Sequence, residues 1–275
     1  MTFIIDALAV FFFAFQIYCD FSGYSDIAIG CAKVLGFNLM TNFRQPYFSR
    51  SITEFWRRWH ISFSTWLKDY IYIPLGGNRK GETRRKINLM ITFLLSGLWH
   101  GAAWHFVVWG ALHAVFQIVG RSTKSFRNAL GRRVGLPEES RLRKTIQVCI
   151  TFILVCFAWV FFRANTMQDA FLIMAKLARL PLELAGHVRG LSRVGIIGTI
   201  RSMFETNDFG LTALGLSGIF IVILLITDVS IWKAPNGTMA KQKPLVLRWA
   251  WYYALILAIL FRWNAGSSQF IYFTF

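Results

Sequence analysis

The chain has 275 residues, 55% of them hydrophobic and 17% aromatic, and carries 30 Lys+Arg against 13 Asp+Glu. Its basic residues lie in blocks between apolar runs, as on the cytoplasmic loops of inner-membrane proteins, which argues against a nucleic-acid binder with its charge on a soluble domain. Cys19, Cys31, Cys149 and Cys156 form no CxxC and sit in or beside apolar segments, so no disulfide framework is expected.

Residues 3–18 are apolar enough for a membrane helix of marginal length. With no Lys or Arg before Lys33, this start does not read as a signal peptide. Asp20, Ser22, Gly23, Ser25 and Asp26 then make a polar, glycine-broken patch. Carboxylates at membrane depth cost about 2.5–3.5 kcal/mol on insertion scales, so the patch reads as a turn at the membrane edge or a cavity lining.

From Lys33 to Lys86 eleven basic residues (33, 44, 50, 57, 58, 68, 79, 80, 84, 85, 86) face three acidic ones (54, 69, 82). That excess predicts the cytoplasmic side. Within it, Arg50–Gly77 opens with a capping pattern, Ser51 and Glu54, and closes at Pro74, Gly76, Gly77 and Asn78. Trp56, His60, Phe63 and Leu67 between them fall at helical spacing. So aromatic and basic a helix is expected to lie at, or dip into, a membrane surface with His60 turned inward.

Arg121–Lys144 is a second basic loop, with eight positive and two negative residues. The intervening Ile87–Val119 must therefore cross an even number of times or not at all, and SGLWHGAAW interrupts it in the middle. Arms of about 11–15 residues span roughly 16–23 Å, which predicts a re-entrant hairpin with His100 near its tip. One long tilted helix is the competing shape, and it conflicts with the charge pattern. Ile146–Phe162 reads as a span, Ala170–Leu180 as a short amphipathic helix on the external face, and Leu211–Thr227 and Leu245–Phe261 as two further spans.

Of five histidines, His187 reads as a surface residue in the external loop and His113 as a satisfied packing residue. His100 and His105 stand five apart, about 140° around a helix, and no Glu or Cys completes a metal set. No metal is expected. His60 and His100 differ in being embedded in tryptophans, Trp56, Trp59 and Trp66 for the one, Trp99 and Trp104 for the other. A neutral imidazole in such surroundings suits general-base work; the alternative is a histidine capping a broken helix end.

The runs YCDFSGYSDIAIG, NFRQPYFSRSITEFWRRWHISFSTWLKDYIYIPLGGNR, NLMITFLLSGLWHGAAWHFVVWGALH and the terminal FIYFTF resemble the membrane-bound O-acyltransferase (MBOAT) family, and within it the bacterial alginate O-acetyltransferases. The resemblance implies an all-α, polytopic membrane bundle with re-entrant helices, here a single domain over residues 1–275. It implies transfer of an acyl group, acetyl in the family's alginate branch, from a cytoplasmic thioester to hydroxyls of an exported polysaccharide. By the same resemblance the catalytic histidine matches His100 in SGLWHGA and a second active-site histidine matches His60 in WRRWHIS.

Acetyl-CoA or an acyl carrier is expected as donor substrate rather than as a bound cofactor. The basic surface around Arg57 and Arg58 is the candidate donor-binding site, unless its charge reflects topology alone. The implied partners are the lipid bilayer and polysaccharide-acetylation proteins on the periplasmic side, with the bacterial inner membrane as location. Family members are usually longer, and these motifs begin around their midpoint. The expectation is that the first several helices lie outside this chain, as in a fragment, a chain completed by a partner, or a compact variant. The rival readings are an inactive fragment and a non-catalytic transporter or scaffold subunit of an export complex.

Overall fold

The computed structural model describes residues 2–179, 211–233 and 244–262. They are helical and contain no strand among the described residues. The chain divides into two compact units, Met1–Thr199 and Ile200–Thr274.

In the first unit, α1 runs from Thr2 to Val34 without interruption. The turn expected at Asp20–Asp26 is absent. Gly23 costs a helix interior about 1 kcal/mol relative to Ala, which the flanking apolar turns on either side outweigh. The helix ends at Gly36, whose φ of 85° lets Phe37 N–H reach back to Ala32 O at 2.9 Å. Among the described residues two helices, Ile5–Val34 and Arg141–Arg163, are long and apolar enough to cross a membrane.

The segment Arg50–Gly77 is likewise not one rod. It is α2 (Ile52–Trp56), a left-handed step at His60, α3 (Ile61–Leu67) and a π-helical turn over Lys68–Tyr72. The start expected at Ser51 is present: its Oγ accepts from Glu54 N at 3.1 Å, while Glu54 Oε2 accepts from Arg50 N at 2.9 Å. The glutamate thus reaches one residue beyond the cap's own amide. Ser51→Ala should lower stability by about 1 kcal/mol, read as a fall of roughly 2–4 °C in thermal unfolding of the detergent-solubilised protein. The stop is also where expected, with Gly76 and Gly77 at φ 106° and 54°.

Helices α4 (Gly81–His100) and α5 (Trp104–Ser122) form the antiparallel hairpin that the interruption at SGLWHGAAW predicts. Their arms are 20 and 19 residues long, longer than expected, because the basic flank Gly81–Lys86 winds into the first turn of α4 and α5 runs on through Arg121. The two backbones touch. A Cβ on Gly97 would overlap the Phe106 carbonyl, and one on Gly110 would overlap that of Phe93.

Helix α6 (Lys124–Arg133) leads to α7 (Arg141–Arg163), which packs on α1 and α5. A short helix, α8, occupies 167–179, close to the expected amphipathic segment. The core is aromatic: Trp59, Trp109, Trp159, Phe55 and Phe162 are all under 2% exposed. Tyr47 lies among them and donates its hydroxyl to Ala14 O on α1. In the second unit, α9 (Leu211–Lys233) and α10 (Leu245–Arg262) coincide with the two further predicted spans. His187 and the terminal FIYFTF lie outside the described residues.

Candidate active site

His60 owes its position to its backbone. At φ 44° and ψ 56° it is one of two non-glycine residues with positive φ among those described. That conformation costs roughly 1–2 kcal/mol for an L-residue, so neighbouring bonds must hold it. Arg44 N donates to Arg58 O at 2.9 Å and Ile61 N to Asn42 O at 3.0 Å, lacing the incoming segment across the step. The His60 carbonyl then accepts from Ser64 N at 2.9 Å and starts α3. Its half-buried ring lies 4.8 Å from the Phe21 ring and 5.0 Å from that of Phe63.

His100 is the last residue of α4, where the hairpin breaks. Gly101 follows because a Cβ there would strike the Phe106 ring. The half-buried imidazole stands edge-to-face 5.0 Å from Trp109 on α5, 5.0 Å from Phe162 on α7 and 4.9 Å from Trp99. Phe63 and Trp99 touch both imidazoles. Phe63 lies 5.0 Å from His60 and 6.0 Å from His100, and Trp99 6.4 Å and 4.9 Å respectively. Five elements, α1, α3, α4, α5 and α7, thus bring aromatic rings against the two imidazoles.

The other histidines stand apart from this pair. His105 Nδ1 lies 3.1 Å from Phe161 O, a bond that ties α5 to α7. His113 is fully buried within a box that includes Trp56, Trp109, Phe55 and Phe93. Neither of its ring nitrogens has a hydrogen-bond partner among the described residues. The expected packing role holds, but satisfaction by hydrogen bonds does not. Its N–H is left to the faces of the surrounding rings, a weak donor–π contact.

The two arginines part company. Arg57 is exposed and lines a cavity of about 320 Å³ with Lys68, Arg85 and Arg121, over a floor of Trp56, Leu67 and Phe93. Arg58 turns inward instead, with Nη2 2.5 Å from Glu54 Oε1. Arg85 is held by Glu82, to which its Nε donates at 2.8 Å. Asn88 Nδ2, donating to Gly77 O at 2.9 Å, ties the glycine turn beside this cavity to α4. Lys68, Arg85 and Arg121 were legible only as members of a basic run. Nothing in the spacing of three residues so far apart signals a shared wall.

The profile described as MBOAT, membrane-bound O-acyltransferase family, matches residues 1–162, more than half of the chain. The protein belongs to the membrane-bound O-acyltransferase family. The MBOAT chain is 50% identical over 155 residues to a probable alginate O-acetylase of Pseudomonas putida, covering 56% of this chain and 30% of that one. It is 32% identical over 275 residues to the peptidoglycan O-acetyltransferase of Helicobacter pylori, covering 96% of this chain and 48% of that protein. Against the teichoic acid D-alanyltransferase of Bacillus subtilis it is 28% identical over 162 residues, 56% of this chain and 40% of the relative. The chain therefore spans between about a third and a half of the curated relatives it matches.

Proposed function

We propose that this MBOAT chain moves an acetyl group from a cytoplasmic thioester to hydroxyls of an exported, alginate-like polysaccharide, as a multi-pass protein of the bacterial inner membrane. The observation that carries the reading is the convergence of His60 and His100 on one aromatic pocket at the break of the α4–α5 hairpin. The relatives named as an O-acetylase and an O-acetyltransferase support acetyl as the group and a polysaccharide as the acceptor.

His100 acts as general base. It takes the proton of the acceptor hydroxyl as that oxygen attacks the acyl carbonyl. The new C–O bond forms, the C–S bond breaks, and the imidazolium returns its proton to the leaving thiolate, so no proton is gained or lost overall. His60 faces the same pocket and orients the reacting groups. Trp109 and Phe162, both buried, screen one side of His100 from bulk water, which strengthens each polar interaction there.

The donor is acetyl-CoA or an acyl carrier, bound as substrate with its phosphate on the basic cavity. Arg57 is the exposed cation there without a carboxylate partner among the described residues. Arg57→Ala should raise KM for acetyl-CoA about tenfold with kcat unchanged, the loss of one charge-assisted contact of about 1.4 kcal/mol. Steady-state kinetics in proteoliposomes read this directly. Periplasmic acetylation proteins, and any chain supplying helices present in the longer relatives, are the partners this reading requires. Its test is transfer of labelled acetyl from acetyl-CoA to polysaccharide by membranes containing the chain and those partners. Labelled polysaccharide is the expected result, and no transfer with all components supplied overturns the reading.

A further inference from the structure

From the hydrogen bonds behind His60 we infer that Asn42 and Ser62 are positioning residues that fix its tautomer, with the proton on Nδ1 and a free electron pair on Nε2. The inference rests on the proposed role of the His60–His100 pocket and names which side of the reaction His60 serves.

The argument is a count of protons. Ser62 backbone N–H lies 3.1 Å from Asn42 Oδ1. A backbone N–H only donates, so the atom facing it must be the amide oxygen, and this fixes which way the Asn42 side chain points. Ser62 Oγ lies 2.6 Å from the same oxygen. A carbonyl oxygen only accepts, so the hydroxyl spends its single proton there. His60 Nδ1 is 3.5 Å from Ser62 Oγ, a long contact that leaves the serine only a lone pair to offer. The imidazole must then be the donor, and Nδ1 carries the hydrogen. The His60 ring makes no other hydrogen bond among the described residues.

The same asparagine anchors the backbone, since its carbonyl accepts from Ile61 N at 3.0 Å. Asn42 thus holds the two residues that follow the left-handed step, Ile61 through its carbonyl and Ser62 through its side chain. The consequence is chemical. A neutral His60 presents an acceptor nitrogen, which binds a neighbouring hydroxyl of the incoming polysaccharide and leaves the proton of the attacking hydroxyl to His100. It does not present the N–H that an acyl carbonyl or an oxyanion would need.

The test has two arms. Nitrogen-15 NMR of the histidine-labelled full chain in lipid vesicles, with His60 assigned by comparison with His60→Gln, reads the tautomer without any acyl transfer. The expected wild-type signal is a protonated Nδ1 and an unprotonated Nε2, and Ser62→Ala should move the proton to Nε2. A wild-type His60 already protonated at Nε2, or a tautomer indifferent to Ser62→Ala, overturns the inference. In the kinetic arm Ser62→Ala should lower kcat about 10–100-fold, the usual scale for a residue that orients a working ligand. KM for acetyl-CoA should not move, and Ser62→Thr, which keeps the hydroxyl, should restore most of the rate. Equal losses in the Ala and Thr variants would make Ser62 merely structural and overturn it as well. Absence of transfer by the wild type would sink the acyltransferase reading, while the NMR arm would still decide the tautomer.

Discussion

Replacing His100 with alanine is expected to abolish acyl transfer while the protein still reaches the membrane. A positioned general base contributes about 10²–10⁴-fold, and His100 is the ring on which α4, α5 and α7 converge. Removing it also opens a hole among Trp99, Trp109 and Phe162, so His100→Gln is the companion variant, similar in size but unable to take a proton. Both should lose the same rate, measured as initial transfer of labelled acetyl at equal amounts of folded protein in the membrane fraction. Retained transfer in either variant removes His100 from the role.

The second large effect is structural. Gly97→Ala and Gly110→Ala should each destabilise the protein by about 3 kcal/mol, the upper end for overpacking, because the obstacle is carbonyl backbone rather than a side chain that can swing away. In thermal unfolding that is roughly a 10 °C fall. The two losses should not add, because a Cβ on Gly110 also lies 3.3 Å from Gly97 N, and helices parted by one substitution have room for the other. Gly120→Ala on the same helix is the control: nothing stands within 4 Å of its Cβ, and a gain of about 0.4–1 kcal/mol is expected. Equal gains at all three glycines would mean that helix propensity, not close approach, sets the effect.

Much of this architecture was legible in the order of residues. Hydropathy and the alternation of basic blocks located the hairpin, the long α7 and the helices α9 and α10, because apolar length and charge are properties of a segment by itself. The aromatic setting of His60 and His100 was legible only in part: Trp99 stands beside both rings, whereas Phe21, Trp109 and Phe162 come from distant segments, and Trp59 packs on Trp159 and Trp66 on Tyr70 instead. What escaped notice depended on distant partners. Gly23 and its polar neighbours read as a break, yet α1 continues through them. The periodicity from Trp56 to Leu67 read as one helix because the spacing is right, and spacing does not show Asn42 and Arg44 crossing the chain at His60. The different fates of Arg57 and Arg58 follow from the same interruption, which sends one outward to the cavity and the other back to Glu54.

That left-handed step also decides what a fragment of this protein can do. Cut free of the segment that contains Asn42 and Arg44, residues 50–77 would lose the bonds that oppose a right-handed backbone at His60, and α2 and α3 would be free to fuse. The imidazole would then stand on the side of a straight cylinder, pointing wherever helical pitch sends it. Its direction is thus a possession of the assembled bundle, and no isolated peptide bearing the same residues would inherit it.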